Sequence, residues 1–364
     1  MKITLNKSNF EIVLNNFQSF LDKRDSSQIT SHIYLETTDD KLLLKATDYE
    51  LSIQSKIDIL QKHEDGIATI EGKKIVTIIK QLKDGEVTLE SKDAQIYVKQ
   101  GKTTYKLATF NASEYDNATK FPEISEQDKQ INLDSANFID SLRKVAVASE
   151  GANKDNHRVE LTGALLDVKD YQCNFVATDT RRLAIIRHST QSVSDSLSLI
   201  IPKRAILEIT KLFFDEFEIF FSETMLFVRS ENYVFSTKLI NGKYPDYEKI
   251  IPKDFEIKLK LPKNDIIEAI RLINPLATKM KITIDSNGIS FESMSMEESE
   301  SASTQLEISL DMKDELTIGM DSKYVLDFLS FVQGNEFEIL LNDANLPFLL
   351  QDENYSTIVM PVII

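Results

Sequence analysis

The sequence predicts an α+β fold built from three tandem copies of one unit, each with two helices and several antiparallel strands. Three observations carry this. Short runs such as 32–36, 41–45 and 51–54 alternate apolar and polar residues with the period of half-buried strands. Other runs, such as Phe10, Val13, Leu14, Phe17 and Leu21, place apolar residues at helical spacing. The order of these runs then recurs three times along 364 residues, with matching residues in register.

Residues 2–5 alternate as a first strand. Ser8 offers an N-cap with Glu11 three residues on, a capping-box pattern that starts the first helix. After the strand runs, a second helix fits residues 73–82, with Ile75, Ile78, Ile79 and Leu82 on one face. Phe121-Pro122 and the polar stretch 125–130 close the first copy. The second opens with Asp134 or Ser135 capping a helix through Phe138, Leu142, Val145 and Ala146. Pro202 starts its other helix, with Ile206, Ile209, Leu212 and Phe213. The third copy begins with a strand at 255–259. Its helices fit 264–273 (Ile266, Ile267, Ile270, Ile273) and 322–332 (Val325, Leu326, Phe328, Leu329, Val332), and a strand at 357–360 ends it. The copies are bounded at 1–126, 127–253 and 254–364.

Individual residues repeat as well. Ala46-Thr47-Asp48-Tyr49-Glu50-Leu51 matches Ala177-Thr178-Asp179-Thr180-Arg181-Arg182-Leu183, the second with one extra residue. Tyr105-Lys106-Leu107-Ala108-Thr109, Tyr233-Val234-Phe235-Ser236-Thr237 and Tyr355-Ser356-Thr357-Ile358-Val359 precede Phe121-Pro122, Tyr244-Pro245 and Pro361. Between the second and third copies lies the stretch 238–252, where Asn241-Gly242 breaks a strand and Pro245 stands between Tyr244 and Tyr247. Such a segment ends a domain or rims a groove.

Composition narrows the function. The chain carries 42 Lys and Arg against 58 Asp and Glu, a net charge of −16, which argues against a general nucleic-acid coat but permits a local basic surface. Cys173 is the single cysteine, so no internal disulfide forms. No apolar run approaches the roughly 20 residues that span a bilayer, and the first residues lack a signal-peptide pattern. The expected compartment is the cytoplasm.

Catalytic patterns are weak. Gly101-Lys102-Thr103-Thr104 resembles the end of a phosphate loop, but Ile96 stands where that loop needs glycine, so a hairpin turn is expected. His32, His63, His157 and His188 pair neither with each other nor with Cys173 at a zinc spacing. Asp179 beside Arg181 and Arg182 suggests an active-site carboxylate, with His188 that of a hydrolase; its counterpart Asp48 lacks both arginines, which favours a structural turn. The acidic run 296–301 reads as a solvated loop.

The helices are more telling. Lys23 and Arg24 flank the first; Lys73, Lys74, Lys80 and Lys83 lie on or beside the second, which contains no acid. Arg143 and Lys144, then Lys203, Arg204 and Lys211, and finally Lys263 and Arg271 lie on the next three. A basic helix layer in an acidic chain suits phosphate backbones, without a residue cluster for reading base edges. The competing non-catalytic reading is an acidic interaction scaffold that never encircles DNA.

Ala177-Thr178-Asp179-Thr180-Arg181-Arg182-Leu183-Ala184, Tyr244-Pro245-Asp246-Tyr247 and the terminal Val359-Met360-Pro361, in three such copies, resemble the bacterial sliding clamp, the beta subunit of DNA polymerase III. The resemblance covers the whole chain. It implies three DNA-clamp domains per chain and a head-to-tail homodimer closed into a ring of six domains. Twelve helices would line the hole, sheets would form the outside, and duplex DNA would pass through unread. It implies a processivity factor with no catalytic residues, metal or cofactor.

The resemblance also implies a groove between the second and third domains, where the replicative polymerase, other polymerases, the clamp loader and repair factors insert a short apolar peptide. By position, Leu183, Ile250, Ile358 and Val359 form its floor beside Leu161, and Met360 its movable gate. Arg182 and Tyr324 supply polar orientation at its edge, and Thr178, Thr180, Arg181, Pro245 and Lys249 belong to it as well. Asp321, Asn345, Pro347 and Pro361 complete it. Thr180-Arg181 replaces the family's frequent Gly-His, Ala277 an aromatic, and Val362-Ile363-Ile364 a basic end, so the peptide preference stays open. The dimer edges are bracketed at 74–100 and 265–310.

Overall fold

The computed structural model describes residues 1–22, 28–151, 158–169, 171–189, 196–294 and 300–364. Among them are seven α-helices: α1 (Lys7–Phe17), α2 (Gly72–Gln81), α3 (Tyr115–Thr119), α4 (Ser135–Ala146), α5 (Lys203–Leu212), α6 (Lys263–Ile273) and α7 (Ser322–Leu329). The expected helices are all present, with adjusted ends. α1 is capped by Asn6, not Ser8: the Asn6 side-chain oxygen accepts from the N–H groups of Ser8 at 3.0 Å and Asn9 at 3.1 Å. Glu11 consequently pairs with Lys7 instead of closing a capping box, and Leu21 lies past a 3₁₀ turn at Gln18–Phe20. Asp134 caps α4, accepting from the Asn137 N–H at 2.8 Å. The short α3 has no apolar periodicity to announce it. It is held by Tyr115, buried with its ring 5.2 Å from that of Tyr34.

Gly101 has a φ of 57°, and the strands Gln95–Gln100 and Thr103–Ala108 pair with Gln100 opposite Thr103. This is a two-residue hairpin, as the alternation predicts, and not a phosphate loop.

By compactness the chain divides into two units, each joining strands of neighbouring copies. The first comprises Met1–Ile139 with Arg204–Leu239, the second Asp140–Lys203 with Ile240–Ile364. The reason is strand exchange between neighbouring copies. In the first unit, Tyr233–Lys238 from the second copy pairs with Leu51–Asp58 of the first, making one eight-stranded sheet. In the second unit, Tyr355–Val359 from the third copy pairs with Arg182–Ser189 of the second, making another. A five-stranded sheet completes the first unit and a four-stranded sheet the second. Among the described residues all the ladders are antiparallel, for instance Leu183 opposite Ile358 and Ser52 opposite Ser236.

The repeated turn holds the same geometry in both units. Thr47 Oγ1 donates to the Leu51 carbonyl at 3.0 Å, and Thr178 Oγ1 to the Arg182 carbonyl at 2.6 Å. Asp48 Oδ1 accepts from the N–H groups of Glu50 and Leu51, and Asp179 Oδ1 from those of Arg181 and Arg182. Tyr49 and Thr180 share the left-handed conformation, at φ 72° and 73°. The turns superpose residue for residue, so the extra residue read from the sequence does not exist: Arg182, not Leu183, stands where Leu51 does.

Candidate functional site

Residues 240–256 cross one face of the eight-stranded sheet in the second unit. Ile240, Tyr244, Tyr247, Ile251 and Phe255 pack on Leu165, Val176, Leu183, Ile185 and Ile358, whose alternate positions put them on that face. Two hydroxyls fix the crossing. Tyr244 Oη accepts from the Thr178 N–H at 3.1 Å. Tyr247 Oη donates to Asp167 at 2.7 Å and accepts from Asn174 Nδ2 at 3.0 Å. Burial raises both phenol pKa values well above the ordinary range, so each stays protonated.

Beside the crossing lie the residues expected to form the groove. Leu183 and Ile358 sit opposite each other in the sheet, with buried Leu161 in the same cluster. Ile250 and Met360 stand at the edge, 41% and 42% exposed. Val359 is a correction. It is fully buried, but its pairing partner is Arg182 and strand alternation turns it to the other face from Ile358, so it supports the strand instead of lining the floor. Thr178 is also buried and holds the turn. Thr180 lies at the tip and Arg181 is exposed. Pro245 is half-buried, and exposed Lys249 pairs with Asp246 at 2.8 Å. Asp321 caps α7 by accepting from the Lys323 N–H at 3.0 Å. Asn345 and half-buried Pro347 lead into the strand Phe348–Asp352, whose Phe348 pairs with Val359, and half-buried Pro361 follows Met360. Leu346, half exposed between Asn345 and Pro347, escaped the sequence reading.

Arg182 departs most from its expected role. It is not a polar edge group but a buried one. Nε donates to Asp179 at 3.1 Å, Nη1 to Asp327 at 2.7 Å and Nη2 to the Val147 carbonyl at 2.6 Å. Its guanidinium carbon lies 4.5 Å from the centre of the Tyr324 ring. Asp327 was missed because a lone aspartate among Val325, Leu326 and Phe328 reads as the polar side of an amphipathic helix.

Among the expected phosphate-facing cations, Lys73, Lys80 and Arg271 are exposed without an ion pair among the described residues. Lys74 pairs with Glu71, Arg143 with Asp140 at 3.3 Å and Lys211 with Glu208 at 3.5 Å. Four others hold internal partners. Lys144 binds Asp140 at 2.7 Å, Lys203 the Ser149 carbonyl at 3.0 Å and Lys263 the Val332 carbonyl at 2.6 Å. Arg204 binds Asp48 and the Ser19 carbonyl. Burial, then Arg182 and Lys323, lowers the Lys203 pKa. Lys23 and Arg24 lie outside the described residues, as do His157 and most of the acidic run 296–301.

The catalytic alternatives find no geometry. Asp179 is engaged by two backbone N–H groups and Arg182. His188 Nε2 lies 2.7 Å from Ser141 Oγ, at the far end of the strand from Asp179. Burial pushes the Cys173 thiol up to about 12, far from a reactive thiolate. The described residues contain no group of three metal-ligating side chains, and none of their helices is long and apolar enough to cross a membrane.

Comparison with known proteins matches this arrangement. Three sequence families of the DNA polymerase III beta subunit match in order: its N-terminal domain over residues 1–119, its central domain over 132–246 and its C-terminal domain over 248–363. The chain belongs to the DNA polymerase III beta subunit family. The beta sliding clamp of Helicobacter pylori strain J99 is 36% identical over 382 aligned positions, covering all of both chains. A crystal structure of the Helicobacter pylori clamp bound to a DNA ligase peptide superposes with a TM-score of 0.91 at 36% identity, again over both full chains. The beta subunit from Pseudomonas aeruginosa shares the fold, with a TM-score of 0.89 at 21% identity over both full chains. The chain is therefore three tandem clamp domains of helices and antiparallel sheets. It is a sliding clamp, a processivity factor and not a catalyst.

The clamp groove has no counterpart in the first unit. Ser52 and Ser236 occupy the positions of Leu183 and Ile358. Lys238, in the place of Met360, pairs with Glu50 at 3.4 Å. The same backbone join thus carries two buried serines there and two buried aliphatic side chains in the second unit.

Proposed function

We propose that the chain acts as a head-to-tail homodimer ring around duplex DNA and holds partner proteins by a short apolar peptide in the groove beside Leu183, Ile250, Ile358 and Met360. The ring would contain six domains, bounded near 1–126, 127–253 and 254–364 in each chain, with helices inside and sheets outside. The observation that carries it is a pair of open sheet edges. Thr103–Ala108 ends the five-stranded sheet and Ser303–Glu307 ends the four-stranded one. The first lies just past the bracket 74–100, the second inside 265–310.

The chain's internal joins supply the register. Tyr233 pairs with Ser55 and Tyr355 with Ile186. Tyr105 is the third such tyrosine. Glu307 pairs with Gly288 as Asp58 does with Lys41 and Ser189 with Gln172, which makes Thr304 the counterpart of Ser55 and Ile186. Tyr105 then faces Thr304 of a second copy. Exposed Leu272 and Leu276, on and just after α6 beside Ser303–Glu307, would be covered by the same contact.

Lys73, Lys80 and Arg271 fit sequence-independent phosphate contacts that exchange easily, which sliding requires. Retention would come from ring closure, and the acidic remainder would keep DNA off the outside. The DNA ligase peptide on the Helicobacter pylori clamp supports a peptide as the groove's occupant. Polymerase, clamp loader and repair factors are the partners we assign to it, in the cytoplasm. The test is retention on circular DNA and loss when that DNA is cut. Equal retention on both, or a monomer by light scattering, removes the ring and leaves a scaffold.

A further inference from the structure

We propose that Asp327 is a positioning residue for peptide capture: through Arg182 it fixes α7, and Tyr324 on it, against the turn that carries Thr180, Arg181 and the root of Met360. The inference rests on the groove reading above. Four observations lead to it.

The turn does not need an arginine. Leu51 occupies the same position in the first unit with the same hydrogen bonds and, as here, a left-handed residue two positions before it. A guanidinium there is costly to bury, and a buried ion pair of this kind is often no more stabilising than apolar residues of similar volume. Its presence therefore calls for a role other than stability.

Arg182 touches both walls of the groove. Its backbone belongs to the strand Arg182–Ser189, opposite Val359, and the neighbouring Arg181 carbonyl accepts from the Met360 N–H at 2.9 Å. Its head group reaches α7, binding Asp327 at 2.7 Å and lying 4.5 Å from the Tyr324 ring centre. Tyr324 and Asp327 are three residues apart on one helix and so share a face.

The charges around it leave Asp327 little substitute. Asp179 already holds Nε and belongs to the turn itself, while Lys203 and Lys323 are cationic neighbours. Of the carboxylates paired with Arg182, Asp327 alone comes from α7.

The corresponding pair in the first unit has the opposite sense. There Arg204 on the helix reaches Asp48 on the turn, and Ser52 and Ser236 stand in place of Leu183 and Ile358. An arginine on the turn with its acid on the helix thus accompanies the groove, not the repeat. Without Asp327, Tyr324 loses its fixed spacing from the turn, and the peptide must order that wall on binding.

The experiment uses the full chain and a fluorescent copy of the DNA ligase peptide seen on the Helicobacter pylori clamp. Asp327→Asn should weaken its binding about tenfold, with retention on circular DNA unchanged. The double variant Arg182→Leu with Asp327→Leu, which copies the Leu51 position, should keep or raise the thermal midpoint and still bind about tenfold more weakly. That separation of affinity from stability is what a merely structural pair would not give. Wild-type affinity in either variant overturns the role of Asp327 alone. A wild-type chain that fails to bind the peptide overturns the groove reading and this role with it.

Discussion

The backbone N–H of Met360 donates to the carbonyl oxygen of Arg181 at 2.9 Å. This bond fixes the root of a side chain that is otherwise 42% exposed. An unbranched thioether on a fixed root can change rotamer without moving the strand. In the proposed groove, Met360 would cover or uncover Leu183 and Ile358 while the sheet stays paired.

That arrangement makes the groove testable apart from the dimer. Leu183→Ala with Met360→Ala should weaken peptide binding by several kcal/mol, at about 1–3 kcal/mol for each apolar anchor. The dimer mass by light scattering should not change, because neither residue belongs to an edge strand, Thr103–Ala108 or Ser303–Glu307. Unaltered affinity in a peptide titration would sink the groove assignment.

Tyr247→Phe tests the crossing segment. It removes the hydroxyl between Asp167 and Asn174 while keeping the ring in the core. Asn174 Oδ1 already lacks a partner in the described structure, so losing the Nδ2 contact leaves the whole amide poorly satisfied. A loss of about 1–3 kcal/mol follows for a buried polar group left unpaired. Urea denaturation should show it as a lower midpoint with an unchanged slope. A midpoint equal to wild type would mean the hydroxyl does not hold the segment.

Much of this fold was legible because its elements are periodic. The faces Ile75/Ile79, Ile206/Ile209 and Ile266/Ile270 are spaced for helices and are buried. The Thr-Asp turn could be matched between copies by residue type. Its alignment slipped by one residue because Leu51 and Leu183 look alike in sequence, whereas the hydrogen bonds equate Leu51 with Arg182. The side on which Val359 falls follows from a register that composition does not encode. The two-unit partition depends on strands exchanged over more than 150 residues, as when Tyr233 pairs with Ser55. The groove residues came from a family resemblance, and the internal commitments of Lys144, Lys203 and Lys263 had no sequence signal.

The proposed dimer register has a chemical test. Tyr105→Cys with Thr304→Cys, in a Cys173→Ser background, should form an inter-chain disulfide at each of the two interfaces under mild oxidation. Shifting one cysteine along its strand, to Lys106, should lower the yield because adjacent strand residues point to opposite faces. A yield no higher for the matched pair than for the shifted one would remove the register.

His32 predicts an acid sensitivity. It is buried, its Nδ1 has no partner in the described structure, and its ring lies 4.4 Å from that of Phe110. Glu71 and Lys74 are its charged neighbours, and burial pushes its pKa from 6.5 down to about 4. The folded state therefore keeps the imidazole neutral while the unfolded chain protonates it. Stability from this group is complete above pH 6.5 and is lost as pH falls toward about 4, by about 3 kcal/mol in total. His32→Phe should flatten the thermal midpoint across that window. Parallel decline of variant and wild type would show that His32 does not contribute.

The lysines fall into two groups that salt should separate. Lys73, Lys80 and Arg271 are exposed and without an ion pair among the described residues, so reversing them to glutamate leaves the fold intact. DNA association should then fall most at low salt, where the Debye length is about 30 Å at 0.01 M, and converge with wild type near 1 M, where it is about 3 Å. Lys263→Met should behave differently. Its ammonium holds the Val332 carbonyl at 2.6 Å, so its loss should lower the thermal midpoint and leave the salt dependence of DNA association nearly unchanged. If the triple reversal weakened association equally at every salt concentration, these residues would not be acting on phosphates. If Lys263→Met altered the salt slope as strongly as the triple reversal does, its carbonyl contact would not be its principal role.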